Sequence, residues 1–290
     1  MSNPVSTITP DLLREWALPS GADSKYARGS VLVVGGASST PGAVLLAGTA
    51  ALRVGTGRLS MAVAGSVAPA LAVAMPESAV LALPESSAGA VLAEGAARLE
   101  QAFAATDVVL IGPGLDDADE TQALLRALSP LGGESTSFVL DAYALGVLPE
   151  LGDALEGWAG RLVLTPNKGE AERLLGRDIR DLEVDIPELA RRYNAVVTCF
   201  GLISSPDGRR WRLGSGPGGL GTSGSGDVRA GAIAGLMARG ADPAQAACWG
   251  SHLHITAGDR LSARIGPTGF LARELIDELP SLLLELGQRA

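Results

Sequence analysis

The sequence predicts an α/β fold built around a mostly parallel central sheet. Three observations lead there: short runs of aliphatic residues, the turn signals that end them, and the helical patterns between them. Residues 31–34, 108–111, 138–140 and 162–164 are uniformly apolar, and residues 196–198 make a fifth run. Strands buried on both faces of a parallel sheet read as continuous hydrophobic runs instead of alternating ones. Strand and helix in regular succession mean α/β layers.

Taken in order, VLVV at 31–34 runs into GGASSTPG. The following PGAVLLAGTAALRVG places Pro41 near a first helical turn and stops at Gly55. The run at 108–111 ends in GPGL, that at 138–140 in DAYAL, and that at 162–164 in TPNKGE. EAERLLG then sets apolar residues at Ala171, Leu174 and Leu175 and stops at Gly176, the pattern of a short helix. The run at 196–198 ends in FG. From Gly219 the chain reads GLGTSGSGDVRAGAIAGLMARG, a glycine-rich turn feeding a helix. Val228, Ile233, Leu236 and Met237 give that helix an amphipathic pattern ending before Gly240. The Gly-, Pro- and Ser-rich segments are of loop length, so residues 1–290 read as one domain. Ligands of open α/β sheets sit beyond the carboxyl ends of the strands, where these polar and glycine-rich turns converge on one cleft.

The 290 residues are 47% hydrophobic, ample for a large core, and carry a net charge of −9. An acidic chain gains nothing from counterion release on nucleic acid and is repelled by anionic membrane surfaces, so neither is an expected partner. A nucleotide-sized anion must then be held by local backbone geometry and helix ends. Cys199 and Cys248 lie far apart, outside any metal or redox spacing, which points to a reducing compartment. The start, MSNPVSTITPDLLREW, has neither the basic nor the apolar region of a signal peptide, so a cytoplasmic location is expected.

The stretch from Gly224 to Asp227 carries the most chemistry. Gly224, Ser225 and Gly226 let backbone approach a ligand closely, and the helix start offers unpaired N–H groups and a positive dipole end. Asp227 reads in two ways: as an ordinary acid of a helix first turn, or as a general base taking the proton of a hydroxyl that attacks a phosphoryl group. VLVVGGASSTPG matches neither G-x-G-x-x-G nor G-x-x-x-x-G-K-S/T, which excludes a Walker-type site. Asp141 could hold a metal through water or cap the turn that follows it. Lys168 sits at a loop tip, either solvated or facing a phosphate. His252 and His254, two apart on a helix, point to different faces and make a poor metal clamp. No metal-ligating set is expected.

In this order, RGSVLVVGGASSTPGAVLLAGTAALRVGTGRL, LIGPGL, VLDAYAL, LTPNKGEAERLLG, GLGTSGSGDVRAGAIAGLMARGADPAQAA and HLHITAGDRL resemble the ADP-dependent (S)-NAD(P)H-hydrate dehydratase family of the ribokinase-like superfamily. The resemblance runs from about Arg28 to FLARELIDELP. It implies a ribokinase-like three-layer α/β/α fold and a repair enzyme that returns hydrated NADH or NADPH to the active dinucleotide, using ADP or ATP as phosphate donor with magnesium. It also implies a homo-oligomer. Carried over by position, the hydrated dinucleotide contacts Ala43, Gly114, Asn167 and Asp227, and Asp227 is the catalytic base. The adenine nucleotide contacts Phe200, Gly201, Ser204, Gly224 and Gly226.

Three positions depart from the family pattern. Asn167 stands where the family usually has His, Phe200 where a Lys often precedes Gly201, and Tyr143 turns DADAL into DAYAL. Two other readings fit the same cradle and carboxylate: a small-molecule kinase acting on a hydroxymethyl group, and a nucleotide-binding protein without turnover.

Overall fold

The computed structural model describes residues 4–20, 23–214 and 220–287. Gly219, where the expected cradle loop begins, lies outside them. Ten strands form one sheet: β1 (Val5–Ile8), β2 (Ser30–Val34), β3 (Arg58–Ala64), β4 (Ser78–Leu83), β5 (Val108–Ile111), β6 (Ser137–Leu140), β7 (Leu162–Leu164), β8 (Val196–Cys199), β9 (Leu202–Ser204) and β10 (Arg210–Leu213). Their spatial order is β1-β10-β9-β8-β7-β6-β5-β2-β3-β4. Every pairing is parallel except those of β9 with β8 and with β10.

The five aliphatic runs form β2, β5, β6, β7 and β8, which are adjacent in the sheet and buried almost throughout. Alternate residues of these strands feed two separate cores. Val31, Val33 and Val139 belong to one, Leu32, Val34 and Leu140 to the other. On the first face lie α1 (Pro10–Glu15), α2 (Pro41–Arg53), α3 (Ala68–Ala74), α9 (Ser225–Ala238), α10 (Pro243–Ile265) and α11 (Ala272–Glu285). On the second lie α4 (Glu100–Ala104), α5 (Ala118–Leu128), α6 (Tyr143–Gly146), α7 (Lys168–Leu175) and α8 (Leu182–Arg192). This is the expected three-layer α/β/α arrangement. Among the described residues, no helix is long and apolar enough to cross a membrane.

One expectation is corrected. α9 is not amphipathic: Val228 and every residue from Ala230 to Ala238 are buried. It packs against α2, α10 and α11 while lying over β2, β5 and β6, so it has almost no solvent face. Its small residues are what allow this. A Cβ at Gly231 would lie 2.1 Å from the Ala47 carbonyl oxygen, and one at Gly235 would lie 2.7 Å from that of Ala51. The α9 backbone therefore rests directly on α2.

Strand order reverses direction at β2, which has β3 on one side and β5 on the other. Such a switch point leaves a crevice at the carboxyl ends of the two strands, and the site lies there.

The α9–α2 contact yields a prediction of opposite sign at two glycines. Alanine is favoured over glycine inside helices by about 1 kcal/mol. At Gly42 in α2 nothing lies within 4 Å of an added Cβ, so Gly42→Ala should be neutral or stabilising. Gly231→Ala should instead destabilise the fold by about 1–3 kcal/mol, the usual range for overpacking. Urea denaturation of both variants measures the difference.

Candidate active site

The crevice is closed at its base by hydrogen bonds between the turns after β2 and β5. Gly36 N–H donates to the Pro113 carbonyl (2.9 Å), Ala37 N–H to that of Gly114 (2.7 Å), and Thr40 Oγ1 also to Gly114 (2.8 Å). Gly114 has φ +69°, and a side chain there would sit 2.3 Å from the Thr40 carbonyl oxygen and 3.2 Å from Ala43 Cβ. Glycine is thus required by both conformation and space. The structure brings Gly114 and Ala43, in the first turn of α2, side by side.

α9 supplies the opposite wall. Gly224 is its N-cap in the left-handed region (φ 85°), with no side chain to satisfy the first-turn N–H groups. A Cβ at Gly224 would lie 2.5 Å from Leu46 Cδ1 of α2, so the cradle presses on the same helix that carries Ala43. Gly226 is exposed and Asp227 half-buried. Orphan N–H groups and the positive end of the helix dipole make this first turn suited to a phosphate.

The Asp227 carboxylate makes no hydrogen bond or ion pair among the described residues. Burial, and then the neighbouring Asp141, push its pKa from 3.8 up to about 7. A carboxyl so placed can accept a proton near neutral pH, the chemistry a general base needs.

Asp141, at the end of β6, is buried, and its Oδ1 accepts a hydrogen bond from Thr165 Oγ1 at 2.6 Å. Its Oδ2 lies 4.0 Å from the Cβ position of Gly226. Burial raises its pKa, opposed by Thr165, Arg229 and the Ala142 backbone. Ala142 itself has φ 51°, a strained conformation for a residue with a Cβ. This turn sends Asp141 inward toward α9 and leaves Tyr143 exposed.

Asn167 caps α7. Its Oδ1 accepts from Glu170 N–H (3.0 Å), and Glu170 Oε2 accepts from Asn167 N–H (2.8 Å), a reciprocal capping box. The Asn167 side-chain oxygen is committed, and its NH2 group remains for a ligand. Lys168 is 61% exposed and pairs with Glu172 at 3.7 Å. Phe200 (φ 49°) and Gly201 (φ 74°) form the β8–β9 turn, with Phe200 largely exposed.

Ser204 differs from its expected place. It was expected at the turn as a nucleotide contact, yet it lies inside β9, paired to Val197 on one side and Arg210 on the other. It is fully buried, its hydroxyl has no partner, and it offers no surface to a ligand.

Arg229 and His254 are functional candidates to which the sequence reading assigns no role, although both lie in quoted stretches and His254 is weighed there as a metal ligand. Arg229 Nη2 donates to the Thr165 carbonyl at 2.7 Å, beneath the cleft. His254 is buried and bonds to the Ser225 backbone at the start of α9; burial lowers its pKa to about 3, so it is neutral. The available signal was a lone arginine inside an otherwise apolar helix. Among the described residues, no group of three or more His, Cys, Asp or Glu side chains could hold a metal ion.

A family model described as NAD(P)H-hydrate dehydratase matches residues 31–281, from β2 into α11. A protein of Xanthomonas campestris pv. campestris named ADP-dependent (S)-NAD(P)H-hydrate dehydratase is 44% identical over 287 residues, 96% of this chain and 96% of that one. The crystal structure of the ADP/ATP-dependent NAD(P)H-hydrate dehydratase of Bacillus subtilis, co-crystallized with ATP and Mg2+, aligns with a TM-score of 0.79 at 26% identity. That alignment covers 97% of this chain and 99% of the other. A ribokinase-like superfamily protein from Enterococcus faecalis shares the fold with a TM-score of 0.84 at 21% identity, covering 98% of this chain and 97% of its own. The matched region contains the switch-point turns, the glycine cradle and Asp227, and the chain belongs to the NAD(P)H-hydrate dehydratase family.

Proposed function

We propose that this protein is an ADP-dependent (S)-NAD(P)H-hydrate dehydratase, a carbon–oxygen lyase that restores NADH or NADPH from the hydrated ring. The observation that carries the reading is Asp227: a half-buried, unpaired carboxylate beside a phosphate cradle, with its pKa near 7. Hydroxide is a poor leaving group, whereas a phosphate ester leaves readily. Asp227 accepts the proton of the ring hydroxyl as the hydroxyl oxygen attacks the terminal phosphorus of ADP. The new O–P bond forms as the bond to AMP breaks. The ring nitrogen lone pair then expels phosphate, and loss of the ring proton yields the reduced nicotinamide.

The chain's residues divide this work. Ala43 and Gly114 shape the floor where the hydrated ring lies, and the Asn167 amide contacts the same substrate. Gly224 and Gly226 keep the α9 N–H groups open to the transferred phosphoryl group, whose charge they stabilise without reorganising. Phe200 and Gly201 flank the nucleotide. Magnesium accompanies the nucleotide in this reading, as a counter-ion to its phosphates.

Purified protein given hydrated NADH, magnesium and ADP should restore the absorbance of the reduced nicotinamide and release free phosphate. A stable phosphorylated product would instead mark a kinase. Asp227→Asn should lower kcat by about 100-fold or more, the span of general-base catalysis. With the free-enzyme carboxyl near pH 7, kcat/KM of the wild type should fall about tenfold per pH unit below that value.

The same carboxylate predicts a stability signature. Its folded pKa lies above the unfolded 3.8, so the folded state binds the extra proton, and stability is lost as pH rises from about 4 through 7. Asn cannot ionise. Thermal melts should therefore show Asp227→Asn gaining on the wild type across that window, with a constant advantage above it. Equal pH profiles for the two proteins would contradict the buried-carboxylate description.

A further inference from the structure

The cleft gathers negative charge, since Asp141, Glu170 and Asp227 all lie at it or beside it. A nucleoside diphosphate entering there needs more than the helix dipole to offset its own charge. Lys168 is turned to solvent and paired with Glu172, and the β8–β9 turn has the uncharged Phe200.

Arg229 stands in a different setting. It follows Asp227 by two residues on α9, away from the Gly231 and Gly235 face that rests on α2, and it is half-buried. Nη2 is anchored on the Thr165 carbonyl, while Nε is buried with no partner among the described residues. Its charge reaches Asp141 after β6, Glu170 on α7, Cys199 at the end of β8 and His254 on α10. His254, only 5% exposed, also has an unpartnered nitrogen, Nε2, and bonds the Ser225 backbone of the cradle. Arg229 Nε is therefore a buried donor, and His254 Nε2 a buried acceptor of a neutral ring, each without a partner among the described residues. Leaving a buried guanidinium N–H unpaired is unfavourable, and an apolar side chain would pack this helix as its neighbours do.

We propose that Arg229 is the phosphate-binding cation of the nucleotide site, holding a phosphate of ADP between the first turn of α9 and the β8–β9 turn. The guanidinium is pre-positioned by Thr165, and its planar fork suits two phosphate oxygens. This rests on the reading that an adenine nucleotide binds here, and it adds the residue that recognises the nucleotide's charge.

Calorimetric titration of the full chain with ADP, adenosine and hydrated NADH tests it without requiring turnover. Arg229→Gln should weaken ADP binding about 10- to 100-fold, the contribution of charge-assisted hydrogen bonds. Adenosine and hydrated NADH should bind as before. Arg229→Lys should retain most of the ADP affinity, and adding Phe200→Lys to Arg229→Gln should restore part of it from the other wall. Arg229→Met, apolar like the rest of α9, replaces the Gln variant should that one not fold. ADP affinity unchanged in the folded variant would overturn the proposal, and so would equal weakening of ADP, adenosine and hydrated NADH. A loss confined to hydrated NADH would assign the arginine to the other substrate and overturn it too. A wild-type protein that turns over hydrated NADH while Arg229→Gln still binds ADP normally would overturn this inference and leave the dehydratase reading standing. A wild type that binds no ADP would overturn both.

Discussion

The site depends on how closely two helices approach. α9 lies backbone-to-backbone on α2 because Gly231 and Gly235 meet the Ala47 and Ala51 carbonyls with nothing between them. That contact sets the distance between Asp227 and the switch-point turns that hold Ala43 and Gly114. Side chains of ordinary size in this seam would move the base and the phosphate cradle away from the floor on which a substrate ring must lie. Helices in contact through glycine and alanine lose side-chain burial but gain a fixed, short separation. The position of the chemistry therefore follows from an absence of side chains about one and two helical turns away from it.

The second constraint is electrostatic. Asp141 follows β6 and Asp227 lies on α9; burial disfavours the charge of both, and Asp141 further raises the pKa of Asp227. The arrangement is kept by unequal support. Asp141 has Thr165, the Ala142 backbone and the Arg229 charge, whereas Asp227 has no hydrogen-bonding partner among the described residues. Two carboxylates near one another thus differ in how far the fold satisfies them, although burial raises the pKa of both.

The parts of this design legible in the sequence were those encoded locally. β2 and β5 to β8 stand out because strands buried on both faces need unbroken aliphatic runs. β3 was missed because RLSMAVA opens with a half-exposed Arg58 and mixes small and polar residues, and β4 because it lies at the sheet edge. The glycine cradle and Asp227 could be read directly, since close approach and a helix start both leave residue-level marks. α9 misled because alanine and glycine look neutral in a hydrophobic pattern, yet here they line a helix enclosed on nearly every side. Ser204, carried over by position from the family pattern as a contact beside the FG turn, lies instead in β9, whose residues pair on both sides. The proximity of Asp141 to Asp227 could not be read, because it depends on strand order and on the strained Ala142 turn.

The far edge of the sheet has a consequence for how the chain assembles. β1 pairs in parallel with β10, Val5 opposite Arg210, and the segment behind it is tied down by Gln245 and Trp249, whose side chains donate to the Trp16 carbonyl. The residues of β1 are thus made well before β10, the strand they pair with, exists. Contacts so distant in sequence form late, because loop closure must come before any gain from pairing. Until then β1 is itself an unpaired strand, the kind of surface through which nascent chains associate wrongly. β1 is the closing clasp of the sheet, and the order of synthesis sets how long it waits for β10.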